Sequence, residues 1–215
     1  MKRLAFLHTG SFLVDLFKRL IGERYPDLST FHMVDESLIQ DLLANGESPG
    51  IVRRIATLAT LAESSGADLL VFTCSSTSPA VNVARQMVSI PIIKIDDAMA
   101  EKAIGLGCRI GVVCTTSSTV GPSTGLIREH AQRLDRTIEI EHRLQGAAFD
   151  AIVKGDRKTH DAIVAKTAEE LAASCDVVIL AQASMAHLQP DLEKRLAVPV
   201  LASPHLCVES LANYL

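Results

Sequence analysis

Short apolar runs rich in Val, Ile and Leu alternate along this chain with longer stretches whose apolar residues recur at helical spacing. Runs of the first kind suit strands buried on both faces of a parallel sheet, and the longer stretches suit the helices that cover it. The pattern therefore predicts an α/β fold. The expected strands are residues 3–7, 30–33, 69–72, 92–95, 110–113, 138–142, 177–180 and 200–202. Phe12, Leu13, Leu16, Phe17 and Leu20 outline the buried stripe of the first helix, with Ser11 placed to cap it.

The two halves of the chain repeat each other. Arg3 to Ser11 aligns with Arg109 to Ser117, Ala67 to Ser76 with Cys175 to Ser184, and Ile90 to Ile93 with Val198 to Leu201. All three pairs lie at an offset close to half the chain, as a whole-length duplication requires. The repeat predicts two similar lobes, each a mostly parallel four-stranded sheet covered by helices, related by an internal pseudo-two-fold axis. Residues 1–97 with 205–215 would form the first lobe and 98–204 the second. Ligands of parallel sheets bind beyond the carboxyl ends of the strands, and pockets favour domain junctions, so the expected site lies between the lobes.

Composition narrows the class. With 48% hydrophobic residues, 21% charged residues and a net charge of -4, the 215-residue chain is neither disordered nor a basic nucleic-acid binder. Apolar runs such as Val177 to Ala181 fall far short of a membrane span. The leader-like start Met1-Lys2-Arg3 is broken by His8-Thr9-Gly10, so a cytoplasmic protein is expected, with homo-oligomerisation left open. Cys74, Cys108, Cys114, Cys175 and Cys207 form no CxxC pair, which points to neither disulfides nor a metal site. Gly105 and Gly107 precede a strand instead of following one and read as turn glycines, and no phosphate-binding loop or cofactor fingerprint is present. No cofactor is expected.

The chemistry-bearing residues gather just after the matched strands. They are His8, Thr9 and Ser11; Cys74, Ser75 and Ser76; Thr115, Ser118 and Thr119; and Gln182 and Ser184. One thiol, one imidazole, one amide and many hydroxyls, each followed by a helix N-terminus, suit a small carboxylate. A helix start after Cys74 would lower its thiol pKa, and His8 could act on the thiol as base or orienter. Thr115, Ser118 and Thr119 could cap a helix, hold the carboxylate, or do both. Cys175, before its strand, belongs at the opposite end of the lobe. His187 is expected within the next helix, His160 at an exposed helix start, and Asp35 to Asp41 as a solvated helix start.

The duplication, the Cys-Ser-Ser turn after Val71-Phe72-Thr73, the hydroxyl-rich turn from Thr115 to Thr119 and the run Leu180 to Met185 together resemble the aspartate/glutamate/hydantoin racemase superfamily. The resemblance implies a cofactor-independent isomerase of two parallel-sheet lobes. In that family one cysteine per lobe works on each face of the substrate's α-carbon. Cys74 matches the first position as the essential thiol, with Ser75 and Ser76 as carboxylate-holding groups. Gln182 stands at the second, and an amide cannot give or take a proton near neutral pH. The resemblance thus implies action at the α-carbon of an amino acid or hydantoin-like substrate. The alternatives are a one-cysteine lyase or decarboxylase of the same superfamily, and a non-catalytic carboxylate-binding protein.

Overall fold

A computed structural model describes residues 2–215; Met1, where the leader-like start begins, lies outside the described residues. The chain divides into two compact units. One runs to Ile95 and is completed by Pro204–Leu215, and the other is Asp96–Ser203.

The first unit contains β1 (Arg3–His8), α1 (Phe12–Arg24), β2 (Ser29–Val34), α2 (Glu36–Asn45), α3 (Pro49–Ser64), β3 (Leu69–Phe72), α4 (Ser78–Ala84) and β4 (Ile92–Lys94). The second contains α5 (Asp97–Leu106), β5 (Arg109–Cys114), α6 (Ser117–Arg133), β6 (Glu139–Leu144), α7 (Gly146–Val153), α8 (Arg157–Ala172), β7 (Val177–Leu180), α9 (Gln189–Arg195) and β8 (Val200–Ala202). Helix α10 (Ser203–Ser210) leads the chain back into the first unit. Every strand pairing is parallel, and the strand orders β2-β1-β3-β4 and β6-β5-β7-β8 are the same order twice. All eight expected strands form, and the fold is α/β.

Alternation along the strands sorts side chains between the two faces of each sheet. In the first unit Ala5, Leu7, Leu70 and Phe72 pack with Leu38, Ile51, Ile55 and Val81 from α2, α3 and α4. Phe6 and His8 take the other face, with Phe17 of α1 against both rings. In the second unit Val113, Val178, Leu180 and Val200 pack with Val164, Ala168 and Leu171 of α8.

The repeat extends to one polar contact at the amino ends of the strands. Asp68 accepts from the Arg3 N–H at 2.7 Å and returns its own N–H to Arg3 O at 2.8 Å. Asp176 does the same at β5, accepting from the N–H groups of Cys108 and Arg109 at 2.9 and 2.8 Å and donating its N–H to Arg109 O. Gly107 leaves room for this clamp, because a Cβ there would stand 2.3 Å from Asp176 Cβ.

Several local expectations change. Ser11 sits at the N-cap of α1, yet its side chain makes no capping bond. Gly105 is not a turn glycine but lies inside α5. Asp35 caps α2 by accepting from the Ser37 N–H at 3.2 Å. His160 does lie near the start of α8 but is buried, and His187 falls on a two-turn 3-10 helix, Ala183–Leu188, ahead of α9.

These glycines give a paired prediction. Gly107→Ala should push Asp176 off the β5 N–H groups and cost about 1–3 kcal/mol in urea unfolding, the usual range for overpacking. Gly105→Ala meets nothing within 4 Å and should stabilise by up to about 1 kcal/mol, the helix-propensity gain. Equal effects of one sign would refute the clamp.

Candidate active site

Parallel pairing brings the ends of β1 and β3 side by side. Leu7 pairs with Phe72, so His8 and Thr9 lie beside Thr73 and Cys74. After Cys74 the chain turns into a one-turn 3-10 helix, Ser75–Thr77, and then α4. The Thr9 hydroxyl and the Ser76 N–H bond the Cys74 thiol, while the Thr77 N–H and hydroxyl donate to the Cys74 carbonyl oxygen at 3.3 and 2.9 Å and so fix the turn. Ser75 and Ser76 are buried on the same turn. Of the sequence candidates in the first unit, Thr9, Ser75 and Ser76 thus gather at the thiol.

Burial pushes the Cys74 thiol above its ordinary pKa, and the polar groups of Thr9, Ser76 and Thr77 only partly offset this. The helix start was expected to leave a depressed pKa; desolvation outweighs it. The resting group is the thiol, with donors in place for a thiolate once a proton is drawn away.

His8 is fully buried, and both of its ring nitrogens are engaged. Thr73 Oγ1 donates to Leu7 O at 3.0 Å, so its lone pairs face His8 Nδ1 at 2.7 Å, and Nδ1 must carry the hydrogen. The bare Nε2 then accepts from His32 Nδ1 at 2.8 Å, and the buried His32 Nε2 has no partner. Phe6, His8 and His32 stack, with interplanar angles of 4° between Phe6 and His8 and 13° between the two imidazoles. Burial, then the charge of His32, lowers the His8 pKa to about 3. Burial and the Lys18 charge lower that of His32 as well. A neutral ring held this way orients Thr73, the residue before Cys74; of the two roles open to His8, geometry favours the orienter over the base. Sequence reading passed over His32. The one signal in the sequence was its place in the second expected strand; the register that pairs His32 with Phe6, two residues before His8 on the same face, appears only in the fold.

Ser11 does not join the thiol's donors. Its N–H and hydroxyl go to the Glu36 carboxylate, the N–H at 3.0 Å, and hold that carboxyl below its usual range.

In the second unit Val113 pairs with Leu180, which sets Thr115 beside Gln182. The Thr115 N–H and hydroxyl both meet Gln182 Oε1, at 2.6 and 2.9 Å. A backbone N–H can be met only by the amide oxygen, so the orientation is fixed and the NH2 is left as donor. Thr116 Oγ1 bonds Thr119 Oγ1 at 2.7 Å and accepts from Ser118 at 3.3 Å, so these hydroxyls bind each other at the start of α6 without a side-chain cap. Ser184 stands on the turn after Gln182. Cys114, which aligns with His8, is fully buried, and burial followed by the Asp96 charge pushes its thiol up to about 12. Cys175 is buried ahead of β7, at the strand's amino end. Among the described residues no group of His, Cys, Asp and Glu could hold a metal ion, and no helix is long and apolar enough to cross a membrane.

The Asp/Glu/hydantoin racemase family model matches residues 8–211, and the chain belongs to that family, an enzyme of isomerase type. No curated protein matches the sequence. Among solved structures, aspartate racemase from Picrophilus torridus is similar at 17% identity and a TM-score of 0.73, over 100% of this chain and 94% of that one. Glutamate racemase from Francisella tularensis, in complex with D-glutamate, follows at 16% and 0.76, over 99% and 80%. Unliganded arylmalonate decarboxylase is similar at 17% and 0.62, over 99% and 92%. At these identities the likeness concerns the fold.

Two measurements test the electrostatics. A His8 pKa of about 3 against an unfolded value of 6.5 means that the unfolded chain binds the extra proton between those limits. Stability should therefore be greatest above about pH 6.5 and fall toward pH 3, by at most about 1.4 kcal/mol per pH unit for this one group. His8→Asn should flatten the pH dependence of the urea midpoint; an unchanged slope would exclude His8 as its source. In alkylation followed by peptide mass spectrometry, exposed Cys108 should label first near neutral pH and Cys74 only as pH rises. Thr9→Val removes a thiolate donor and should slow Cys74 labelling roughly tenfold. Fast Cys74 labelling at neutral pH would contradict a raised pKa.

Proposed function

We propose that the protein is a cofactor-independent cytoplasmic enzyme acting at the α-carbon of a small carboxylate, an amino acid or hydantoin-like compound, with Cys74 as its essential proton carrier. The observation that carries this reading is the setting of Cys74, whose thiol has the Thr9 hydroxyl and the Ser76 N–H as donors on a turn pinned by the Thr77 hydroxyl and N–H at the Cys74 carbonyl. Once solvent has taken the thiol proton, the Cys74 thiolate can draw the α-proton and, as the thiol, return it to the same carbon, while Ser75, Ser76 and neighbouring N–H groups hold the carboxylate as it takes on enolate charge.

The amide of Gln182 favours a second reading within the same family. Its oxygen is bound to Thr115, its NH2 can only donate, and the other thiol at that sheet end, Cys114, is held at about 12. Proton transfer would then proceed from one side only. That suits a lyase: carbon dioxide leaves a malonate-like substrate with the bonding electrons going to an enediolate, and the Cys74 S–H delivers the proton to the α-carbon. Thr115, Ser118, Thr119, Gln182 and Ser184 would act as donors for substrate oxygens. The similarity in fold to a decarboxylase is compatible with this.

The test is turnover in heavy water with aspartate, glutamate, a hydantoin and an arylmalonate. Cys74→Ser should lower whichever activity is found by roughly 10²–10⁴-fold, the usual worth of a positioned proton carrier. Single-sided chemistry places solvent deuterium at the α-carbon in one configuration, and Gln182→Cys then creates or raises inversion. Fast inversion by the wild type, unaffected by Gln182→Cys, would sink the one-sided reading; full activity of Cys74→Ser would sink both.

A further inference from the structure

The turn that bears Gln182 and Ser184 is tied to helix α8 by a cluster that neither reading uses. His187, on the same turn, directs Nδ1 to Ser184 O at 3.0 Å and Nε2 to Asp161 Oδ2 at 3.0 Å. The other oxygen of Asp161 meets His160 Nδ1 at 2.7 Å, and Arg157 Nε stands 3.8 Å from Oδ2. The groups facing Asp161 are thus Arg157 and His160 from α8 and His187 from the turn. His160 is only 1% exposed and its Nε2 has no partner, so Asp161 anchors its ring.

Donor arithmetic gives the cluster its meaning. A carbonyl oxygen and a carboxylate oxygen can only accept, so the two bonds of His187 coexist only when both ring nitrogens carry hydrogen. The ring is then a cation facing a carboxylate. Burial alone would raise the Asp161 carboxyl, but the bonds and charges of His160 and His187 bring it below its ordinary range. With one hydrogen fewer, His187 must give up either Ser184 O or Asp161.

We propose that Asp161 and His187 are positioning residues, forming a protonation-dependent clasp that fastens the 182–185 turn to α8 and so aims the Gln182 amide. When the clasp is closed, the turn is held from two sides: Gln182 Oε1 by Thr115, and Ser184 O through His187 by Asp161. When His187 loses its second proton, only the Thr115 side remains. The consequence for catalysis rests on the reading of Gln182 as a substrate donor; the clasp itself does not.

The experiment follows amide and side-chain signals of the full chain by NMR from about pH 5 to about pH 8, the range in which an imidazole changes charge. The Gln182 side-chain NH2, the Ser184 and Met185 amides and the Thr115 amide should shift together with the His187 ring signals. Asp161→Asn should abolish that shared response while the Thr73 and Thr77 amides keep their wild-type positions. His187→Gln, which has no titrating ring, should leave the same signals flat across the range. It serves as the readout should Asp161→Asn fold poorly. The proposal is overturned if the Gln182 and Thr115 signals stay flat across the range, or if the shared response survives in either variant. An active Cys74→Ser enzyme would remove the catalytic reading and leave these signals untouched, so the two failures are distinguishable.

Discussion

The chemistry of each unit depends on the register between its first and third strands. Leu7 opposite Phe72 sets Thr9 beside Cys74, and Val113 opposite Leu180 sets Thr115 beside Gln182. A slip of one residue in a pleated strand would turn every side chain to the other face, burying the thiol's donors in the core. The amino-end aspartates hold this register. Asp68 and Asp176 each engage the backbone of the neighbouring strand in both directions, accepting with the carboxylate and donating with the N–H.

On this doubled frame the two halves have moved to different chemistry. The first keeps a thiol, raised in pKa by burial, near a histidine kept neutral by burial and by its partners. The second puts an amide where the thiol stands and a thiol where the histidine stands. Burial, then the charge of Asp96, pushes that thiol, Cys114, up to about 12. In the proposed reading Cys74 is the proton carrier, and the hydroxyls and amide of the second sheet are hydrogen-bond donors.

The strands were legible because burial on both faces leaves an unbroken apolar run, and the repeat was legible because both copies kept those runs and the aspartate before β3 and β7. That Cys74, Thr9 and Gln182 stand just past strand ends followed from the apolar runs; the roles expected of Cys74 and Gln182 came from the family resemblance. What could not be read was depth and partnership. His160 looked exposed because it adjoins Asp161 at a helix start, yet its ring turns inward. The Cys74 pKa was misjudged in direction, since a sequence shows the helix start that lowers it and not the burial that raises it. Ser11 looked like a cap and a carboxylate donor, and only the fold brings Glu36 to it. His32 and the Asp161–His187 pair went unseen because their partners lie far along the chain.

The aspartate clamps sit at the amino ends of β1, β3, β5 and β7, a strand's length from Cys74 and Gln182. Instructions for assembly and instructions for reactivity are thereby written in separate stretches of the gene. After a duplication, the loops beyond the strand tips could drift, swapping a sulfur for an amide, without endangering the protein's ability to fold. The same separation makes those tips the natural place for a laboratory library aimed at new substrates, with the clamp aspartates and Gly107 left alone.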